Sequence, residues 1–170
     1  FQSFLFLVVF YAYGQDSYYI VSKVNDGDTF EVIIDGNVER VRLLGLDTPE
    51  KWESNKLDKD AQHSGKDKQI IKILGQLASE YAERILLNQK VKLLPDSTND
   101  NSDKYGRLLR YAFLEDGTLF NLKIIQDGYA YAYTRFPFIY KDEFLLAQRE
   151  ARENNKGLWE DIDFKDMEEK

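Results

Sequence analysis

The 170-residue sequence predicts an α+β fold: a five-stranded, closed Greek-key β-barrel of the OB type that carries three α-helices. Three observations predict it. Five short apolar runs alternate as strands do, tight turns join the first three runs, and a long helical pattern separates the third run from the fourth. The length is that of one domain, and a hydrophobic content of 43% is ordinary for a globular core.

The first three strands are predicted to form a meander. They are expected at residues 18–24, 29–34 and 38–44, with turn signals at 25–27 and 35–37. In the third strand Val41 and Leu43 share one face, and Arg40 and Arg42 share the other. Both arginines therefore lie opposite the apolar face.

The segment after the meander is predicted to change from loop to helix. Residues 51–64 are polar and are expected to form a loop, and residues 65–87 are expected to form a helix. The apolar stripe predicted for this helix consists of Ile70, Leu74, Leu77, Tyr81 and Ile85.

The remaining elements are two strands and two helices. The strands are predicted at 90–94 and 105–114, with a polar loop at 95–104 between them. The helices are predicted at 121–127 and 140–154, and glycines at 128 and 157 end them. Trp159 is expected to pack back on the body of the domain.

The charge and the cysteine count exclude several classes of protein. The net charge of −7 has the wrong sign for a protein that binds nucleic acid through a broad basic face, so such a substrate would be gripped locally. The chain has no cysteine, and therefore neither disulfides nor thiolate metal sites. Its single histidine, His63, is expected on a surface loop.

The two ends of the chain are predicted to lie outside the folded domain at 16–160. Residues 4–13 are apolar and uncharged, but a bilayer span needs about 20 such residues. We expect a signal peptide at 1–15, trimmed at its start, with a small-residue cleavage site at 12–14, and hence a secreted or periplasmic protein. The alternative is a buried N-terminal strand. Residues 161–170 are expected to be an acidic, mobile tail.

The residues whose side chains could bind a ligand or take part in catalysis fall into three segments. DGDT at 26–29 is typical of a β-turn when taken alone, and DKYGR at 103–107 is typical of a loop that enters a strand. VRLLGLDTPE at 41–50 places one guanidinium near two carboxylates, on a corner that Pro49 keeps extended. Carboxylates bind cations and arginine binds phosphate in a fork, so this segment indicates metal-assisted chemistry on a phosphate.

Together, and in this order, the three segments resemble the staphylococcal nuclease family. The resemblance extends over roughly residues 18–160 and includes GYA at 128–130 and GLW at 157–159. It implies a Ca²⁺-dependent endonuclease that cleaves DNA and RNA with little sequence preference and leaves 3′-phosphate ends. We also expect a monomer without a stable membrane anchor.

The resemblance implies a role for each residue of a metal site and for a base. Asp28 and Asp47 would be the carboxylate ligands of one Ca²⁺, with the Thr48 carbonyl as a third ligand. Asp26 would act in the outer shell of the metal. Glu50 would position or deprotonate the attacking water. An all-oxygen donor set suits a hard cation such as Ca²⁺ or Mg²⁺.

Substrate contacts are implied in the same way. Arg42 and Arg107 would hold the phosphate and stabilise the charge that grows on it. Lys104 and Tyr105 would contact the terminal phosphate of the substrate. A tyrosine that touches phosphate in well-known members falls at Thr134, so Tyr133 beside it is the expected contact in this chain.

Two other classes of function stay open at this point. The first is a catalytically inactive OB-fold module that binds nucleic acid or protein, and the second is an interaction module with no nucleic-acid role. Inactive modules typically lose the metal carboxylates or the arginines, whereas this chain keeps Asp28, Arg42, Asp47, Glu50 and Arg107. Metal-dependent release of nucleotides that EDTA stops would separate an enzyme from a binder.

Overall fold

The computed structural model describes residues 17–52, 54–64 and 67–160. The predicted signal peptide and the predicted acidic tail lie outside the described residues. The strands are β1 (Tyr18–Asp26), β2 (Thr29–Ile34), β3 (Asn37–Leu43), β4 (Leu46–Asp47), β5 (Lys90–Leu94), β6 (Leu108–Leu114) and β7 (Tyr131–Ala132). The helices are α1 (Asn55–Ser64), α2 (Lys68–Leu86), α3 (Phe120–Gln126) and α4 (Lys141–Glu153), followed by a 3₁₀ turn at Gly157–Trp159. In the described part of the chain, no helix has both the length and the apolarity needed to cross a membrane.

Five strands close into a barrel in the order β1-β2-β3-β6-β5, and β5 pairs back with β1. The β3–β6 pair is parallel, and the other four pairs are antiparallel. This topology confirms the predicted α+β fold on a five-stranded barrel, with four α-helices where three were predicted.

The β2–β3 hairpin shows how local sequence sets the barrel register. Asp35 and Gly36 both have positive φ angles, of 49° and 80°, as a two-residue type I′ turn requires. Ile34 therefore pairs directly with Asn37, and the alternation continues inward so that Phe30 faces Val41 across the pair. The core combines these inward faces with α2, α3 and α4, and its largest fully buried side chains include Phe30, Phe120, Phe144, Leu43, Leu86, Ile124 and Ile125.

The buried face of α2 is rotated relative to the predicted stripe. Leu74 and Tyr81 are buried as expected, but Ile70, Leu77 and Ile85 are only half-buried. The inner face also carries Ile71 and Leu86 and four small residues, Gly75, Ala78, Ser79 and Ala82. The prediction weighted large apolar side chains, whereas small ones let this helix approach the barrel closely.

The prediction of a loop at 51–64 is wrong, because residues 55–64 form α1. His63 thus lies in a helix and not in a loop. The helix is polar overall, and Leu57 is the fully buried side chain among those of its side chains that the structure describes. Its start has a local signal, since the Ser54 hydroxyl oxygen accepts a hydrogen bond from the Leu57 amide at 3.1 Å.

Two further differences lie next to the cleft described below. The fifth barrel strand begins at Leu108 and not at residue 105, because the Asp103 carboxylate accepts hydrogen bonds from the Tyr105 and Arg107 amides and folds 103–107 into a turn. The short β4–β7 pair was not predicted, since two-residue strands have no detectable alternation. Trp159 does pack back, with its ring 5.3 Å from that of Tyr131.

Candidate active site

A cleft of about 1100 Å³ opens where the three predicted segments meet. Its lining contains all nine residues that the sequence singled out, namely Asp28, Arg42, Asp47, Thr48, Glu50, Lys104, Tyr105, Arg107 and Tyr133. Asp26, the expected outer-shell residue, lines it as well. The structure thus brings these residues together, while the role of each stays a prediction.

The barrel topology explains how distant segments converge here. The parallel pairing of β3 with β6 sets Val41 beside Leu108 and Arg42 beside Leu109, so Arg107 lies directly before the strand that neighbours Arg42. The β2–β3 pairing sets Thr29 opposite Arg42. The Arg107 Nη1 atom accordingly donates to the Thr29 hydroxyl at 3.3 Å.

Asp28 is the buried anchor of the site, with only 5% of its surface exposed. Its Oδ2 accepts hydrogen bonds from the Thr48 amide and the Thr48 hydroxyl, both at 3.2 Å, and its Oδ1 accepts one from the Thr29 hydroxyl at 3.0 Å. The β1–β2 turn is therefore bonded directly to the corner at 47–50. A buried charge of this kind needs such partners.

Arg42 joins the two predicted metal carboxylates. Its Nη1 lies 2.9 Å from the Asp28 Oδ2, and its Nη2 lies 2.9 Å from the Asp47 Oδ1. Its side chain is 15% exposed, so these contacts form largely out of water. The fork geometry of the guanidinium holds the carboxylates of two separate elements at one place.

Asp26 lies beside Asp28 at the same end of the cleft. Burial, the negative charge of Asp28 and a hydrogen bond with Asp28 raise the pKa of Asp26 to about 7, although Arg42 opposes the change. Carboxylates therefore crowd this end of the cleft, and a bound cation would relieve their repulsion.

The donor set fits a hard divalent cation. Among residues 17–52, 54–64 and 67–160, no group of three or more Asp, Glu, His or Cys side chains converges in a way that could hold a metal. A metal here would therefore use the carboxylates of Asp28 and Asp47 together with backbone or water oxygens. Ca²⁺ accepts such mixed oxygen ligands with variable coordination number.

Arg107 is oriented by a residue that the sequence analysis did not assign. Asp103 Oδ2 accepts from both Nε and Nη2 of Arg107 at 2.7 Å, and its Oδ1 accepts from the Arg107 amide at 3.0 Å. Burial opposes ionisation of Asp103, but these bonds outweigh it and lower the pKa of Asp103. The i,i+4 spacing from Arg107 within DKYGR was the available signal.

Tyr105 presents an open ring at the rim of the cleft. It is 64% exposed, with the Lys104 Nζ 5.0 Å and the Arg107 Cζ 5.6 Å from the ring centroid. Two cations over one exposed aromatic ring favour an anionic ligand that approaches from solvent.

Glu50 sits on a corner that α2 supports from below. A Cβ atom on Gly75 would lie 2.7 Å from the Pro49 carbonyl oxygen and 2.8 Å from the Glu50 carbonyl carbon, so only glycine allows this approach. The Glu50 Oε1 accepts a hydrogen bond from the Trp52 amide at 3.2 Å. The close contact with α2 thus fixes the backbone position of Glu50 at the cleft.

The sequence is similar to that of a known protein family over most of its length. A sequence profile described as "Staphylococcal nuclease homologue" matches residues 40–161, which is well over half of the chain. This chain belongs to the staphylococcal nuclease family. The β-barrel and the three motif segments agree with that assignment.

Individual relatives in the staphylococcal nuclease family align with most of the domain. The thermonuclease of Staphylococcus intermedius is 37% identical over 144 residues, which are 84% of this chain and 76% of the relative. The thermonuclease of Staphylococcus hyicus is 35% identical over 142 residues, which are 83% and 75%. An uncharacterized protein of Methanocaldococcus jannaschii is 39% identical over 145 residues, which are 82% and 70%.

This member of the staphylococcal nuclease family has further cleft residues that the sequence analysis missed. Lys59 reaches the lining from α1, the helix that was predicted as a loop. Arg135 and Phe136 reach it from the segment after β7. The β4–β7 pairing and a hydrogen bond from the Tyr133 amide to the Gly45 carbonyl, at 2.8 Å, bring that segment beside Asp47.

Proposed function

We propose that this chain is a secreted, Ca²⁺-dependent endonuclease that hydrolyses phosphodiester bonds of DNA and RNA and leaves 3′-phosphate ends. The observation that carries the proposal is the convergence of Arg42, Arg107 and Glu50 with the carboxylates of Asp28 and Asp47 in one cleft. Relatives named as endonucleases support it, including an endonuclease of Bacillus subtilis that is 32% identical over 141 residues.

The proposed reaction is one hydrolytic displacement at phosphorus. Glu50 takes a proton from a water molecule whose oxygen bonds to phosphorus, and the bond from phosphorus to the 5′ oxygen breaks. The 5′ oxygen takes a proton from a solvent water and leaves as a hydroxyl, Glu50 returns its proton to solvent, and the phosphate stays on the 3′ oxygen. Arg42 and Arg107 stabilise the extra negative charge on the phosphate as it forms.

Asp28, Asp47 and the carbonyl of Thr48 are the proposed holders of Ca²⁺, which supplies Lewis-acid stabilisation of the phosphate when bound. The oxygen donors and the crowding of Asp26 against Asp28 support this assignment. Lys104, Tyr105 and Tyr133 are the proposed substrate contacts, because their side chains line the same cleft beside the arginines.

Phosphate binding at one local site explains how a protein with a net negative charge can act on a negatively charged nucleic acid. The chain has a net charge of −7, but the cleft lining contains Arg42, Lys59, Lys104, Arg107 and Arg135. These cations supply phosphate affinity where it is needed, so no broad basic face is required.

A nuclease assay tests the proposal directly. Single-stranded DNA, duplex DNA and RNA should all become acid-soluble in Ca²⁺, and EDTA should stop the release. Polynucleotide kinase should label the products without prior phosphatase treatment, because each new 5′ end is a hydroxyl. Binding without cleavage in Ca²⁺ would identify an inactive nucleic-acid-binding module instead.

Export and a monomeric state complete the proposal. The uncharged apolar run at 4–13 and the lack of cysteine support secretion, and we expect the mature protein to begin near Gln15. N-terminal sequencing of protein recovered from outside the cytoplasm checks the cleavage site. Sedimentation of the same material checks the monomer, and an uncleaved cytoplasmic protein would contradict export.

A further inference from the structure

We propose that Arg110 is a positioning residue for substrate binding: it fixes the turn at 103–107 and thereby holds Lys104 and Tyr105 at the rim of the cleft. This inference rests on the proposed nuclease function, because Lys104 and Tyr105 are proposed substrate contacts of that same site. Arg110 is not among the residues that line the cleft, so it acts on the substrate only through the turn.

The backbone of Arg110 is fixed within the barrel. Arg110 lies on β6 beside Leu43 of β3. Its carbonyl oxygen accepts hydrogen bonds from the Leu44 amide at 3.0 Å and from Asn121 Nδ2 at 3.2 Å. The half-buried side chain of Arg110 therefore extends from a backbone that the barrel holds in place.

The guanidinium of Arg110 binds Asn101, the loop residue that leads into the turn. Nη2 donates to the Asn101 Oδ1 at 2.7 Å, and Nη1 donates to the Asn101 carbonyl oxygen at 3.0 Å. Nη1 also donates to the Leu109 carbonyl oxygen at 2.8 Å, which orients the guanidinium plane. Hydrogen bonds from a charged donor are stronger than neutral ones, and a planar fork adds geometric specificity. Arg110 thus holds both the backbone and the side chain of Asn101.

Asn101 lies at the base of the turn that carries the two proposed substrate contacts. The Leu109 amide donates to the Asn101 carbonyl oxygen at 3.1 Å, which joins the two arms of the turn. Lys104 and Tyr105 lie within the turn and are exposed. A displacement of Asn101 would therefore move both side chains relative to the rest of the cleft.

The loop that contains Asn101 is also fastened to the segment after β7. The Pro137 carbonyl oxygen accepts hydrogen bonds from Asn99 Nδ2 at 2.7 Å and from the Thr98 hydroxyl at 3.3 Å. Pro137 thus holds one end of this loop, and Arg110 holds the other. Contacts that are held in place before a ligand arrives lose little freedom on binding, which favours affinity.

Amide hydrogen exchange of the full chain, without substrate, tests whether Arg110 holds the turn. Three of the turn amides donate to Asp103, namely those of Tyr105, Gly106 and Arg107. In Arg110→Met, which keeps an unbranched side chain but removes the donors, these amides should exchange about tenfold faster. The Val21 and Leu158 amides are hydrogen-bonded elsewhere in the domain and should exchange as they do in the unmodified protein.

A second variant removes an acceptor instead of the donors. Asn101→Ala takes away the Oδ1 atom on the exposed loop and leaves the barrel strand unchanged. It should accelerate exchange of the same three amides, so the test does not depend on the folding of Arg110→Met.

Steady-state cleavage of a single-stranded oligothymidylate in Ca²⁺ tests the effect on the substrate. Arg110→Met should raise KM about tenfold and leave kcat within about twofold, because the contacts that it positions bind the ground state and the transition state equally. In a chain that already carries Lys104→Gln and Tyr105→Ala, Arg110→Met should change KM by less than about twofold. Arg40→Met is the matched control, since Arg40 is exposed on β3 outside the cleft, and it should cleave as the unmodified protein does.

Each other outcome overturns the inference. Faster exchange throughout the domain would assign Arg110 to general stability, and unchanged exchange at the turn would leave it without a positioning role. A rise in KM that persists without the Lys104 and Tyr105 side chains would assign the effect to the missing positive charge alone.

Binding of the same strand, labelled with fluorescein and measured by anisotropy in EDTA, keeps the two proposals apart. An Arg110-dependent Kd without any cleavage in Ca²⁺ refutes the nuclease function alone. Cleavage by the unmodified protein with an unchanged KM in Arg110→Met refutes the positioning role alone.

Discussion

At the residue scale, Arg42 holds the site together and is also a proposed catalytic group. Its two terminal nitrogens each reach a different carboxylate at 2.9 Å, and Nη1 also donates to the Leu43 carbonyl at 3.3 Å. Lysine carries the same charge on a single nitrogen and cannot span both carboxylates in this geometry. The position therefore requires the two terminal nitrogens of a guanidinium, and a positive charge alone is not enough.

We expect Arg42→Lys to lower kcat roughly 100- to 1000-fold, which is the usual cost of removing one group that stabilises the transition-state charge. Arg40→Lys is the matched control, because Arg40 lies two residues earlier on β3 and is exposed outside the cleft. Steady-state cleavage of DNA and a thermal melt of each variant check this. Near-normal turnover in Arg42→Lys would refute the assignment.

Asp96 is a second residue whose environment has a measurable consequence. Burial opposes its ionisation, but hydrogen bonds from Thr98, Tyr111 and the Ile139 amide outweigh burial and lower the pKa of Asp96 to about 2. A carboxyl with a lowered folded-state pKa stabilises the fold above its unfolded pKa and loses that contribution as pH falls. The stabilisation should therefore disappear between about pH 4 and pH 2.

This pH dependence is tested against Asp96→Asn, which has no carboxyl to titrate. The free energy of unfolding from urea denaturation should be higher for the unmodified protein at pH 5, and the gap should narrow by about 2 kcal/mol as pH falls from 4 to 2. Because the other carboxyls titrate in both proteins, their contribution drops out of the difference between the two unfolding free energies. A gap that stays constant over this range would show that folding does not lower the pKa of Asp96.

At the element scale, the short β4–β7 pair and the helices α1 and α2 complete the site that the barrel begins. The β4–β7 pair brings the wall at 133–138 to the cleft, and α2 supports the corner at 47–50 through its close approach at Gly75. Helix α1 adds Lys59 to the lining. The barrel strands position the arginines, whereas the β4–β7 pair, α1 and α2 shape the rest of the surface that a substrate would contact.

We expect Lys59→Gln to weaken substrate binding chiefly through lost phosphate attraction. The slope of log affinity against log salt for single-stranded DNA should fall by about 0.7, the contribution of one phosphate contact, while kcat stays within about twofold. Lys68→Gln is the control, because Lys68 pairs with Asp58 at 2.5 Å outside the cleft lining. Equal slopes for Lys59→Gln and the unmodified protein would exclude Lys59 from substrate contact.

At the scale of the whole molecule, an acidic domain keeps a cluster of carboxylates in the same cleft as its arginines and lysines. Asp26, Asp28 and Asp47 lie around one guanidinium, and their repulsion costs folding free energy that a bound cation would offset. A ligand that binds only the folded state stabilises it by mass action, by about 2.7 kcal/mol at one hundred times its Kd. Binding of Ca²⁺ at this site should therefore increase the stability of the whole domain.

We expect Ca²⁺ to raise the Tm by several degrees, and by more when a nucleotide phosphate is also present. Asp28→Asn should fold but lose this response, because the carboxylate at the centre of the site is gone. Asp35→Asn is the control, since it removes one charge at an exposed turn outside the cleft, where asparagine suits the positive φ. A Ca²⁺ response that survives in Asp28→Asn, or equal cleavage in Mg²⁺, would contradict the assigned ligand or metal.

The sequence by itself determined the barrel and identified nine of the residues that line the candidate site. Alternation and the Asp35-Gly36 turn are local properties, so they could be detected without any long-range contact. The residue types of DGDT, RLLGLDTPE and DKYGR likewise set which chemistry was available, and all nine assigned residues do line one cleft.

Only the tertiary structure decided how those residues are held and what surrounds them. Arg42 spans Asp28 and Asp47 because strand pairing, not sequence order, sets their separation, and the wall with Phe136 is fastened by the contact of Ile139 with Asp96, 43 positions away. The polar helix α1 and the inner face of α2 were misjudged because packing on a neighbour, through Leu57 and through small residues, outweighed local apolar pattern. Contacts between residues distant in sequence leave no periodic signal along the chain.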